Sequence, residues 1–217
     1  MPLKDCQEIS AWAHAHEPRI WMHLDGARLW EAVAAGAGTL KDYCSAFDSV
    51  SLCFSKGLGA PIGSMIVGST KFVERVRHIR KGMGGGLRQA GVISAPARVA
   101  VDETFLGGKL TASHETAMEV AKMWESRGGI MARECETNMV WFDLAHAEIE
   151  QKEFVEVGVE EGVKLIGGRL VVHYQIGDEG VGRVGRVMDR VRLGKGKVGT
   201  ENGAKEEANA VMAPEME

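Results

Sequence analysis

Two short apolar runs, RIWMHLDGA (residues 19–27) and DSVSLCFS (residues 48–55), flank a helical stretch, RLWEAVAAG, and each run ends near a residue suited to chemistry. Strand, helix, strand with short connections is the grammar of an α/β unit with a mostly parallel sheet. The first run closes on Asp25-Gly26 and predicts a buried strand leading into a loop. Gly36 stops the helix. The second run, rich in β-branched and aromatic residues, predicts the next strand, and PIGSMIVGS (61–69) a third. Ahead of them, residues 3–16 read as an amphipathic helix with Leu3, Ile9 and Trp12 on its buried side, ended by Pro18.

A helix follows over 70–82, then the glycine cluster GMGGGLRQAG, then helical sequence from about Val92 to Glu125, interrupted at Gly107-Gly108. Beyond that break the texture changes. TNMVWFDL and RLVVHYQI predict strands, EIEQKEFVEVGVEEG a polar helix, and GDEGVGRVGRVMDRVRL a closing helix with Asp178 as its N-cap. This predicts three parts: residues 1–107 of an α/β domain, a small α+β domain over 108–193, and a disordered tail over 194–217, which is polar and glycine-rich.

Composition excludes more than it selects. The chain has 217 residues, 45% of them hydrophobic, with a net charge of −4, which fits a folded core and offers no global attraction to nucleic acid or anionic membrane. No apolar run approaches the roughly 18–20 residues of a membrane span, and MPLKDCQEIS lacks the apolar core of a signal peptide, so the chain reads as cytoplasmic. The four cysteines are scattered without CxxC spacing, which argues against a zinc knuckle, a redox dithiol or a disulfide framework.

Lys56 stands out, a single lysine inside the apolar, glycine-rich run SLCFSKGLGAPIGSMIVG. It is either a surface lysine in a tight loop or a Schiff-base lysine, whose neutral amine is favoured by partial desolvation. Asp25 lies thirty-one residues earlier, one strand–helix–strand unit away. It either caps the following helix or meets Lys56 at the carboxyl edge of a parallel sheet, where open α/β sheets bind ligands. An acid opposite a Schiff-base lysine is what pyridoxal phosphate (PLP) requires, because the carboxylate keeps the pyridine nitrogen protonated. His23 shares the strand face of Asp25, but no third metal ligand is near. Arg28 is a helix-start arginine or a donor near the cofactor. KGMGGGLRQAG, with Lys81 and Arg88, is a flexible turn or an anion-binding loop, and is not a nucleoside-triphosphate P-loop. Arg169, opening a strand after Gly167-Gly168, is either merely exposed or a bidentate clamp for a carboxylate.

Taken in order, HLDGARLWEAV, SVSLCFSKGLGAPIGSMIVG, RKGMGGGLRQAG, TNMVWFDL and GGRLVVHYQI resemble the low-specificity L-threonine aldolases, PLP-dependent enzymes of the aspartate-aminotransferase fold type. The resemblance implies an α/β, partial PLP-binding large domain followed by a small α+β domain. It implies that Lys56 forms the Schiff base with PLP, Asp25 pairs with the pyridine nitrogen, and Arg28 lies near the ring oxygen. Lys81 and Arg88 would lie at a subunit interface, with Arg88 reaching a neighbour's phosphate, and Arg169 would hold the amino-acid carboxylate. The implied reaction cleaves L-threonine or L-allo-threonine to glycine and an aldehyde in a homodimer or homotetramer. A PLP-dependent alanine racemase of the same fold is the nearest alternative. The resemblance also implies that the family's N-terminal part, including its phosphate cup, is missing. That leaves a third possibility, a non-catalytic remnant that binds partner subunits.

Overall fold

The computed structural model describes residues 1–191; the expected tail over 194–217 lies outside the described residues. The chain divides into two units, Met1–Glu115 and a second beginning at Thr116.

The first unit runs α1 (Leu3–His14), β1 (His23–Gly26), α2 (Leu29–Ala34), α3 (Leu40–Ser45), β2 (Ser49–Cys53), β3 (Ser64–Gly68), α4 (Thr70–Gly82), α5 (Gly91–Ala100), a π-helical turn (Val101–Phe105) and the start of α6 (Lys109–Ser126). Its three strands lie in the order β1-β2-β3. β1 and β2 pair in parallel with Asp25 opposite Ser51, as the strand–helix–strand pattern requires. β3, however, runs antiparallel to β2, so the sheet is mixed. The ten residues between β2 and β3 contain no crossover helix, and a connection that short returns the chain antiparallel.

Two burial expectations are corrected. β1 was expected to be buried, but it is an edge strand with His23 and Asp25 exposed. In α1 the inward face is Cys6, Ser10 and Ala13, whereas Ile9 and Trp12 are exposed. Spacing of three and four residues describes both faces, and the small side chains are the ones that admit close approach: the Ser10 hydroxyl donates to the Ala46 carbonyl just past α3. α3 itself is announced by a reciprocal capping box, in which Thr39 Oγ1 accepts from Asp42 N–H and the Asp42 carboxylate accepts from Thr39 N–H. α4 spans the expected residues, with Ser69 Oγ accepting from the Phe72 amide. The core gathers Leu29, Trp30, Val50, Leu52, Phe54 and Leu58.

The second unit continues α6 and adds β4 (Met131–Arg133), β5 (Met139–Phe142), α7 (Gln151–Glu160), β6 (Arg169–Val171) and helical residues 178–191. The sheet order is β4-β5-β6, antiparallel throughout. Its own core is built on Trp124, Phe142 and Phe154, with Trp124 and Phe142 stacked at 4.7 Å.

Asp48 ties the first unit together. Its Oδ2 lies 2.9 Å from His14 Nε2 and accepts from the Met22 amide at 2.8 Å, while Oδ1 accepts from Arg19 at 2.5 Å. One carboxylate thus joins the end of α1, the approach to β1 and the start of β2. Burial pushes its pKa up, but the Met22, Arg19 and His14 hydrogen bonds outweigh this and hold it at about 2. A carboxyl depressed on folding stabilises the fold above its unfolded value and loses that contribution as pH falls through its folded one. Asp48→Asn is therefore expected to cost about 2 kcal/mol at neutral pH. In urea titrations the difference from the unsubstituted chain should close as pH falls from 3.8 to about 2.

Candidate active site

The parallel pairing of β1 with β2 carries both sequence-selected residues to one edge. Asp25 pairs with Ser51, and Lys56 follows five residues later, just past the carboxyl end of β2. Asp25 is exposed, and its Oδ1 accepts from the Ala27 amide at 3.1 Å and from the Ser51 hydroxyl at 3.5 Å. No described residue hydrogen-bonds its Oδ2. A Cβ at Gly26 would fall 2.8 Å from the Ser51 carbonyl oxygen, so glycine lets the two strands close at this point. His23 Nδ1 is 2.8 Å from Ser49 Oγ, and among the described residues no group of three acidic, His or Cys side chains could hold a metal.

The turn bearing Lys56 is pinned from within. Phe54, Leu58 and Ala60 are buried, while Lys56 is exposed. The Gly59 amide donates to the Lys56 carbonyl at 2.9 Å, Ala60 to Phe54 at 2.9 Å, and Phe54 to Gly63 at 3.0 Å. Gly59 has φ +73°, which this tight turn requires and a side chain resists. Of the two readings of Lys56, the lysine exposed in a tight loop describes its side chain here: the apolar neighbours turn inward and the ammonium outward, with no hydrogen-bond or ion-pair partner among the described residues. The Lys56 charge acts on its neighbour Cys53. Burial pushes that thiol up, but the Ser55 hydrogen bonds and the nearby ammonium bring it below its ordinary value.

Beneath the turn lies a pair absent from the candidates the sequence suggested. Glu31, 3% exposed, meets His114, 7% exposed, with Oε2 and Nε2 2.7 Å apart. The other oxygen of Glu31 is buried without a hydrogen-bond partner among the described residues. The available signal was the one that singled out Lys56, a charge inside an apolar run, here LWEAV.

The other candidates are placed as follows. Arg28 is exposed at the N-cap of α2. Lys81 lies exposed in the last turn of α4, and Arg88 lies exposed in the loop between α4 and α5. None of the three side chains has a hydrogen-bond partner among the described residues. Arg169 belongs to the second unit, opening β6 opposite Trp141, with its guanidinium 5.6 Å from the indole ring. Arg133 approaches the same ring at 4.9 Å.

The residues of the first unit suit an aldehyde-bearing, cationic aromatic cofactor with an anionic tail. Among the described residues they offer an amine without a partner, a carboxylate with an open oxygen at the same edge, and two unpaired cations flanking a glycine loop.

Residues 1–147 match the family model described as beta-eliminating lyase. Over 188 residues the chain is 58% identical to "Aldolase vrtJ" of Penicillium aethiopicum, covering 87% of this chain and 48% of that protein. It is 47% identical to "Alanine racemase TOXG" of Cochliobolus carbonum, covering 81% and 46%. It is 40% identical to the low-specificity L-threonine aldolase of Candida albicans, covering 85% and 48%. The chain therefore spans about half the length of the curated relatives it matches. In three dimensions it overlays the Leishmania major threonine aldolase with a TM-score of 0.66 at 19% identity, covering 88% of this chain and 57% of that one, which establishes a shared fold.

Gly57 tests the packing under the lysine turn. A Cβ there would lie 1.8 Å from Glu31 Oε1 and 3.3 Å from Leu110, whereas one at Gly82 would meet nothing within 4 Å. Gly57→Ala is expected to destabilise the chain by about 2 kcal/mol through overpacking, and Gly82→Ala to leave it unharmed, as read by chemical denaturation.

Proposed function

We propose that this chain, which belongs to the beta-eliminating lyase family, carries the lysine-bearing part of a PLP-dependent aldolase acting on β-hydroxy-α-amino acids. L-threonine or L-allo-threonine would yield glycine and acetaldehyde. The observation that carries this reading is the parallel register of β1 and β2, which puts Asp25 and Lys56 at one carboxyl edge. The aldolase relatives at 58% and 40% identity support the reaction class. In this reading residues 1–107 are the C-terminal part of the cofactor-binding large domain, and 108–193 form the small domain. The working protein is a cytoplasmic homodimer or homotetramer of amino-acid metabolism, serving threonine breakdown and glycine formation.

PLP, when bound, supplies an aldehyde for an amine and a ring that accepts the electron pair left as Cα–Cβ breaks. The chain's residues divide the remaining tasks. Lys56, through its side-chain amine, would be the residue that holds the cofactor covalently. Asp25, through its open oxygen, keeps the ring nitrogen protonated, so that negative charge developing in the substrate is stabilised at a distance. Arg28 donates toward the ring oxygen. Lys81 and Arg88 serve a phosphate at the junction with a second copy. Arg169 receives the substrate carboxylate, a task suited to the planar, permanently charged guanidinium fork.

An alanine racemase is the second reading, favoured by the relative at 47% identity. It would use the same lysine, aspartate and carboxylate clamp.

Spectroscopy of the chain mixed with PLP tests the proposal. A new absorbance band near the visible edge is expected, abolished in Lys56→Ala; its absence from the unsubstituted chain would refute PLP binding. Glycine produced from L-threonine supports the aldolase, and D-alanine from L-alanine the racemase. Asp25→Asn is expected to keep the band and lower turnover roughly a hundredfold or more.

A further inference from the structure

Glu31 is an expensive side chain to keep where it is. It is 3% exposed, one oxygen meets His114 at 2.7 Å, and the other makes no hydrogen bond among the described residues. A buried polar atom left unpaired costs stability, and an apolar residue of similar size commonly serves packing better. The adjacent Trp30 packs against Phe54 and Phe105, with ring centres 5.9 and 5.0 Å away, in the core of the first unit. The unpaired oxygen faces one thing in particular, the backbone of the turn that carries Lys56. A Cβ at Gly57 would stand 1.8 Å from Oε1 and 2.9 Å from the carboxyl carbon.

We propose that Glu31, held by His114 of α6, is a positioning residue on which the Lys56–Gly57 turn rests, and that it keeps Lys56 on the exposed side of that turn. This rests on the reading of Lys56 as the cofactor-binding lysine, but its physical content is independent of the cofactor. The carboxyl, as His114 holds it, occupies the space that a Cβ at position 57 would need. The hydrogen bond to His114 prevents the carboxyl from rotating away. The turn above cannot sink into the core, so Phe54 and Leu58 enter it while Lys56 does not. Neither Glu31 nor His114 is asked to touch the substrate.

Hydrogen exchange on the full chain separates this role from ordinary core packing. The amides to follow are Gly59, which donates to the Lys56 carbonyl, and Ala60, which donates to that of Phe54. In Glu31→Ala, and in His114→Phe, which fills the space but removes the hydrogen bond, both amides are expected to exchange at least tenfold faster. Amides of β2 should keep their protection. Glu31→Gln, which retains shape and an acceptor for His114, should restore slow exchange at Gly59 and Ala60. Acceleration spread evenly over the first unit, or unchanged exchange at these two amides in Glu31→Ala and His114→Phe, would overturn the inference. The outcome is read without cofactor, so a chain that fails to bind PLP refutes the proposed function while leaving this result to stand or fall alone. Where PLP does bind, Glu31→Ala should weaken its affinity severalfold with the Lys56-dependent band still formed at saturation.

Discussion

The parallel hydrogen-bonded pairing of β1 with β2 is the constraint on which the first unit depends. It sets His23 opposite Ser49 and Asp25 opposite Ser51. Because side chains alternate along a strand, a slip by one residue would turn Asp25 to the other face and uncouple it from the edge where Lys56 emerges. Gly26 protects that register, since a Cβ there would strike the Ser51 carbonyl. Asp48 anchors the opposite end, joining the residues that precede β1 to the first residues of β2 through one carboxylate. The two strands are thus secured at both ends, and the candidate residues Asp25 and Lys56 sit at the carboxyl one.

Within that frame, charged side chains meet opposite fates, decided by what each can find as a partner. Lys56 finds none among the described residues and stays in water. Asp48 is largely removed from water and is tolerated because three donors converge on it. Glu31 is more deeply buried with a single partner, which makes it the least satisfied of the three. Deep burial with incomplete pairing costs stability, and here it occurs directly under the turn that carries Lys56.

Much of this was legible in the sequence because short-range signals agree with the final environment. β2 and β3 follow their β-branched runs, α4 follows its Ser69 cap, and Gly36 with φ +82° ends α2 as its position implies. What stayed illegible depends on long-range contact. Periodicity in α1 cannot distinguish the face with Ile9 and Trp12 from the face with Cys6, Ser10 and Ala13, because only packing beside α3 selects between them. The run through Asp25 reads as buried although its strand lies at the sheet edge, since apolarity alone carries no information about neighbours. β4 has three residues and a shifted register against β5, too short to leave a period. Glu31 and His114 are eighty-three residues apart, so neither announces the other.

Arg169 shows what a structure adds to a residue that the sequence leaves ambiguous. A guanidinium over an indole face is attracted by the ring's negative quadrupole, worth about 0.5–1 kcal/mol at an exposed site. That attraction orients the group without engaging its donors, which lie in the guanidinium plane. Arg133 and Arg169 both approach Trp141, and neither is neutralised by a carboxylate among the described residues. Arg127, Arg183, Arg186 and Arg190 in the same unit, by contrast, are committed to Asp189, Glu179, Glu160 or Glu161. An arginine braced by an aromatic ring and left without an anion retains its bidentate capacity for a ligand carboxylate. Ion pairing uses that same capacity up in the other four, which separates Arg133 and Arg169 from them on physical grounds.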